Sequence, residues 1–357
     1  MARETGWHEG TFRRDLQREI DGFLDEQTER LADLGGDASR LVAAARLAVS
    51  GGKRFRAAFC WWGYHAVDPA PADPVALLRA SAALELLHAS ALVHDDYMDA
   101  SDTRRGHPAA HRALEAEHGD RGWRGNPEQY GAAGAILLGD LLLGWADELL
   151  GRCGLPPDRV APGHELFAQC RSEVIAGQFL DVSVQARGSA DVDAAMTVLR
   201  YKSAKYSIER PLQIGAALAG GGPEMLAALS HFGLPLGEAF QLRDDLLGVY
   251  GDPEVTGKPA GDDLVEGKRT VLVALALDAA PTDEAKRLDH ALGRSLRPDE
   301  IDDLRGIIDR SGAHAQVEAV IAQLAERAVA ALDEADVDPH ARDVLRGLAT
   351  SATQRTG

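Results

Sequence analysis

The stretch that decides the fold is PVALLRASAALELLHASALVHDDYMD, residues 74–99. It is mostly apolar and carries few charges before its end. A helix that is apolar on nearly every side belongs at the centre of a helical protein. The helix closes on Asp95, Asp96 and Asp99. Residues i and i+4 share a helix face, so Asp95 and Asp99 project together. Asp96 is offset by roughly 100° and is expected to reach the same place from the side. Acids at this end of a helix repel one another and oppose the helix dipole. A hard divalent cation with oxygen ligands offsets that cost. Magnesium takes one or two carboxylates and completes its shell with water and phosphate oxygens.

Working outward, segments of 3–4 apolar spacing are separated by Gly, Pro and Asp. Leu16, Ile20, Phe23 and Leu24 predict a first amphipathic helix, ending before Gly35-Gly36. Further helices are predicted at 41–49, 55–66, 129–150, 161–186, 191–207, 209–220 and 223–249. Residues 251–261 read as a loop. Helices resume at 269–279, 283–292, 298–311, 313–334 and 338–352. No segment has sustained strand alternation. The expected fold is all-α, one domain over residues 1–357, with about 1–36 an outer N-terminal helix and about 37–352 the core.

Composition agrees: 45% hydrophobic, 26% charged, with a net charge of -18. The acidic balance argues against a nucleic-acid partner. It also means that an anionic substrate needs metal ions or clustered cations to overcome the background field. Cys60, Cys153 and Cys170 form no C-x-x-C pair and read as buried hydrophobes in a reducing cytosol. Residues 1–14 lack the apolar core of a signal peptide. The longest uncharged-looking run, Ala132–Ala146, is short and contains Asp140. A cytoplasmic protein with no stable membrane insertion is therefore expected.

Arg104-Arg105-Gly106 follows the first acidic motif directly. A second acidic pair, Asp244-Asp245, also follows an apolar helix, and its i+4 position is Gly248. Lys258 and Lys268 lie in the glycine-rich stretch after it. Gly51-Gly52-Lys53-Arg54-Phe55-Arg56 opens a helix, where backbone amides also favour an anion. Lys202, Ser203 and Lys205 fall within a predicted helix. Each basic cluster alone reads as solvated surface charge. Together with two acid pairs they point to two diphosphate sites, one bridged by metal and one metal-free.

The ordered segments GGKRFRA (51–57), ELLHASALVHDDYMDASDTRRG (85–106), ILLGDLLL (136–143), GQFLD (177–181), YKSAKY (201–206) and GEAFQLRDDLLGVYGDPEVTGKPAGDDLVEGKRT (237–270) carry a family likeness. The chain resembles the trans-isoprenyl diphosphate synthases (polyprenyl synthetases), and among them actinobacterial geranylgeranyl diphosphate synthase-like proteins. The resemblance implies a helical bundle with a central cavity, a homodimer, and head-to-tail condensation of isopentenyl diphosphate with an allylic diphosphate. It implies Mg2+, three ions with substrate bound, with Mn2+ as a substitute. By the same resemblance Asp95, Asp96, Asp99, Asp244 and Asp245 hold metal. Arg104, Lys202, Ser203, Gln241, Lys258 and Lys268 contact the allylic diphosphate. Gly52, Lys53, Arg56, His88 and Arg105 contact isopentenyl diphosphate. Asp262 is matched to an outer, water-mediated metal role. Gly248 stands where many members have Asp, and an acid there is expected to be tolerated.

The allylic tail is expected to run beside the central helix, where side chains one turn (about 5.4 Å) apart act as successive floors. Ser90 and Ala91 are small and leave the path open, and Leu87 is the next obstacle. These positions predict a C20 product, geranylgeranyl diphosphate, with farnesyl or C25 and longer diphosphates as alternatives. A class I terpene cyclase and a non-catalytic regulatory subunit are the more remote readings. The cyclase has no use for an isopentenyl site, and regulatory subunits usually lose the acidic motifs.

Overall fold

A computed structural model describes residues 8–188, 191–251 and 261–354. Lys258, assigned above to the allylic diphosphate, lies outside the described residues. Helices α1 (Glu9–Arg30), α2 (Gly36–Ala48), α3 (Phe55–His65), α4 (Pro74–Met98), α5 (Ala110–Asp120), α6 (Pro127–Gly151) and α7 (Pro157–Arg187) are followed by α8 (Val192–Val198). A π-helical segment, Leu199–Glu209, then leads into α9 (Arg210–Leu218) and α10 (Pro223–Tyr250). The chain continues through α11 (Asp262–Glu266), α12 (Val271–Ala279), α13 (Thr282–Ala291), α14 (Pro298–Ser311), α15 (Ala313–Glu334) and α16 (Pro339–Thr353). Strands β1 (Thr103–Arg104) and β2 (His107–Pro108) form a two-residue antiparallel ladder. The fold is all-α, as the apolar spacing predicts.

Two compact units divide the chain. One runs to His164 and adds Ile214–Gly220, and the other takes Glu165–Gln213 and the chain from Gly221 onward. In the first unit α4 packs against α6, α3 and α1. Pro74 occupies its first turn, where no N–H donor is needed, and the Asp73 side chain accepts from the Ala76 amide at 3.0 Å. Leu77, Leu84 and Leu86 are fully buried. α1 contributes Leu16, Ile20, Phe23 and Leu24, all buried, so the amphipathic pattern read from sequence is the packing face. In the second unit α10 packs against the π-helical segment and α15. Leu242, Leu246, Val249, Leu272, Ile307 and Ile321 belong to its core.

Some local features differ from the sequence reading. α2 starts at Gly36, five residues early, and α5 and α11 were not anticipated. Both are short, and α5 gains its stability from packing on α6 rather than from length. Ala132–Ala146 is not the longest membrane-like candidate. Among the described residues Pro74–Met98 alone is long and apolar enough to cross a bilayer, yet most of that window is buried inside the protein.

Candidate active site

In the first unit the end of α4 and two loops carry the acidic and basic motifs. Asp99 keeps helical geometry and donates its amide to Asp95 O at 2.8 Å. The i, i+4 relation between Asp95 and Asp99 is therefore kept, and both are half-buried. Asp96 is more enclosed than its two neighbours. It is buried, and Arg104 Nε donates to its Oδ1 at 2.8 Å. The two-residue ladder turns through Arg105 and Gly106, both with positive φ (53° and 78°), the requirement of a tight primed turn. This turn gives adjacent arginines separate tasks. Arg104 reaches Asp96, whereas Arg105 Nη1 donates to Ser50 O at 2.6 Å.

Arg105 therefore joins the loop that precedes α3. Gly52 has a φ of +85°, which favours glycine, and a Cβ there would lie 3.0 Å from Arg105 Nη2, so the guanidinium would have to shift by a few tenths of an ångström. Lys53 is exposed on the loop, and Arg56 is half-buried in the first turn of α3. Half-buried His88 of α4 is held well below the usual imidazole range, first by desolvation and then by Arg56, Arg105, Arg104 and Arg54. It is neutral at pH 7, able to donate from one ring nitrogen and accept at the other. Arg56 and Arg105 thus lie near enough to His88 to act on it electrostatically, and Gly52, with Lys53 next to it in the chain, abuts Arg105.

The arginine between them was not singled out by sequence. Arg54 is buried with φ 55°, and its Nη1 donates to Glu85 Oε2 at 3.0 Å. Glu85 Oε1 also accepts the Ala57 amide at 3.2 Å. A lone glutamate inside an apolar helix needs a partner, and that was the available sequence signal. Arg54, Ala100 and Arg105 are the non-glycine residues with positive φ among those described, and all three flank these motifs. Such strain persists where surrounding contacts over-determine the backbone. Ser90 and Leu87 are buried on α4, while Ala91 is half-buried.

The second unit holds the other group. Lys202 and Ser203 lie in the π-helical segment rather than an α-helix, a winding that often marks functional sites. Lys202 Nζ donates to Asp181 Oδ2 at 2.6 Å. Asp181 belongs to the GQFLD segment but had been given no role. On α10, Gln241 Nε2 donates to Asp245 Oδ1 at 2.8 Å, one helical turn away. Burial pushes the Asp245 carboxyl up to about 8, reinforced by Asp263 and Asp244 and opposed by Gln241 and Lys268.

Asp263 of α11, beside Asp262 in sequence, also meets the second motif. It is buried, and Lys268 Nζ lies 3.5 Å from its Oδ1. Its carboxylate fills the space beside Gly248, where the Cβ of any larger residue would be in hard contact with it. An acid at 248 would need the Asp263 carboxylate to move aside. Asp262 and Asp263 are adjacent in sequence, and the path of α11 brings the Asp263 carboxylate against Gly248 of α10.

The polyprenyl synthetase family model matches residues 39–309. The chain is 31% identical over 348 residues to a short chain isoprenyl diphosphate synthase of Methanothermobacter thermautotrophicus, covering 96% of this chain and 98% of that protein. A geranylgeranyl diphosphate synthase of Mycobacterium tuberculosis is 36% identical, covering 72% and 68%. Among solved structures, geranylgeranyl pyrophosphate synthase from Corynebacterium glutamicum, complexed with isoprenyl diphosphate and magnesium, superposes with a TM-score of 0.95 at 41% identity, covering 98% of this chain and 100% of that one. Motifs, fold and relatives agree that this chain belongs to the polyprenyl synthetase family and is a prenyltransferase.

Proposed function

We propose that this prenyltransferase is a Mg2+-dependent geranylgeranyl diphosphate synthase, adding isopentenyl diphosphate units to allylic diphosphates up to C20. The observation that supports the metal assignment is the placing of Asp95 and Asp99 one helical turn apart at the end of α4, both half-buried. Oxygen donors packed in this way suit a hard cation. Asp95, Asp96 and Asp99 are the ligands of the first unit, and Asp244 and Asp245 those of the second, with three ions when substrate is bound. Magnesium, when bound, neutralises charge on the diphosphate as the C–O bond breaks. Arg104, Lys202, Ser203, Gln241, Lys258 and Lys268 orient that diphosphate and donate to it. Such preorganised donors act most strongly where charge develops in the transition state.

Lys53, Arg56, His88 and Arg105, with Gly52 permitting close approach, hold isopentenyl diphosphate without metal. Its C3–C4 double bond attacks the allylic cation to form the new C–C bond. A proton then leaves, with the released diphosphate as its acceptor. Small side chains at Ser90 and Ala91 support C20, since a bulky residue there would end growth near C15. Relatives named as geranylgeranyl diphosphate synthases favour the same length, although geranylfarnesyl diphosphate synthases occur among them too. We further propose that both units act as one domain and that the enzyme is a cytoplasmic homodimer.

The test is product analysis by mass spectrometry after incubation with Mg2+, isopentenyl diphosphate and C5, C10 or C15 primers. A dominant C20 product is expected, shortened in Ser90→Phe. Asp95→Ala and Asp244→Ala should each lose about a hundredfold or more in turnover. A dominant C15 product from the unmodified protein would sink the C20 reading. Cyclised products without isopentenyl consumption would point to a cyclase instead.

A further inference from the structure

The loop that carries Lys53 and leads into Arg56 of α3 is fastened from several directions. Arg54 Nη2 donates to Val49 O at 2.6 Å and to Gln17 Oε1 of α1 at 2.5 Å. Its Nη1 donates to Glu85 of α4 at 3.0 Å, and the same carboxylate takes the Ala57 amide in the first turn of α3. Arg105 closes the loop from the other side through Ser50 O. Both members of the Arg54–Glu85 pair are buried. Arg54 also adopts a left-handed backbone that a side chain tolerates only when held. We propose that Glu85 is a positioning residue for the isopentenyl diphosphate subsite, acting through Arg54 and the Ala57 amide to set where Lys53 and Arg56 present their charges. This inference rests on the reading of Lys53, Arg56, His88 and Arg105 as that subsite.

Two effects of Glu85 oppose each other. As a negative charge near Arg54 and Arg105 it weakens the attraction of the group for an anion. As a charged acceptor it fixes the loop, and a misplaced donor loses more than a nearby charge returns. Coulomb attraction alone predicts that Glu85→Gln, nearly isosteric, tightens diphosphate binding, whereas positioning predicts that it weakens it. α1 joins the same device. Gln17→Ala removes one acceptor of Arg54 without touching the basic group.

Calorimetric titration of the full-length protein with isopentenyl diphosphate in EDTA separates these outcomes, alongside KM for each substrate in Mg2+. The unmodified protein should bind and Lys53→Ala should not. If the unmodified protein does not bind, the subsite reading fails and the inference falls with it. Given binding, Glu85→Gln should weaken it by roughly tenfold or more and Gln17→Ala by less, since bonds to charged groups are the stronger ones. KM for the allylic substrate should stay within about twofold. Equal or tighter binding in Glu85→Gln overturns the proposal. An equal rise in both KM values also overturns it, because it would indicate a general structural role. If Glu85→Gln does not fold, Gln17→Ala decides alone: an unchanged affinity rejects the proposal.

Discussion

Asp245 shows how packing can reverse the ordinary behaviour of one side chain. In an unfolded chain a carboxyl titrates near pH 4, whereas burial and neighbouring acids push Asp245 up to about 8. Between those limits the folded metal-free protein holds a proton that the unfolded chain has released. Its stability is therefore greatest below about pH 4 in this respect and declines as pH rises through about 8. In thermal unfolding in EDTA from pH 5 to 8, the Tm of the unmodified protein should fall relative to that of Asp245→Asn as pH rises. Parallel curves for the two proteins would show that Asp245 does not carry the effect. At the neighbouring Gly248, Asp263 occupies the volume a side chain would need. Gly248→Asp should lower metal-free stability by about 1–3 kcal/mol through overpacking. An unchanged unfolding midpoint in denaturant would mean that Asp263 moves aside without cost.

At the scale of elements, α10 is placed partly by the residue just before its acids. Arg243 Nη1 and Nη2 donate to Glu318 Oε1 and Oε2 of α15 at 2.5 and 2.7 Å, and Nε donates to Thr353 O at the end of α16 at 3.1 Å. The pair holds Glu318 below the usual carboxylate range. One guanidinium thus ties the helix bearing Asp244 and Asp245 to two later helices. Glu318 is partly exposed, so solvent screening limits the pair to about 1 kcal/mol. A double-mutant cycle with Arg243→Ala and Glu318→Ala should return a coupling of about that size in denaturant unfolding. Strict additivity would show that the pair is incidental. Sequence periodicity had located α10, α15 and α16, but it carries no information on which face of one meets which residue of another. α5 and α11 escaped it because a few turns contain too few apolar repeats to stand out.

For the whole molecule, homodimerisation is expected, and sedimentation equilibrium at micromolar concentration should give twice the chain's 38.1 kDa. A fully active monomer would refute this. The sequence by itself determined the all-helical class, because apolar spacing encodes which residues leave water. It also determined the family and the order of the motifs, because chemistry on a diphosphate demands acids and cations in recognisable clusters. Asp95 and Asp99 were legible as a pair because one helical turn links them. Tertiary structure alone decided which charge answers which: Arg104 on Asp96, Arg54 on Glu85, Asp181 on Lys202, and Asp263 in the space beside Gly248. The physical reason is distance along the chain. Within a helix the backbone fixes neighbours locally, whereas residues in separate elements meet only after packing has brought those elements together and burial has made an unmatched charge too costly to leave.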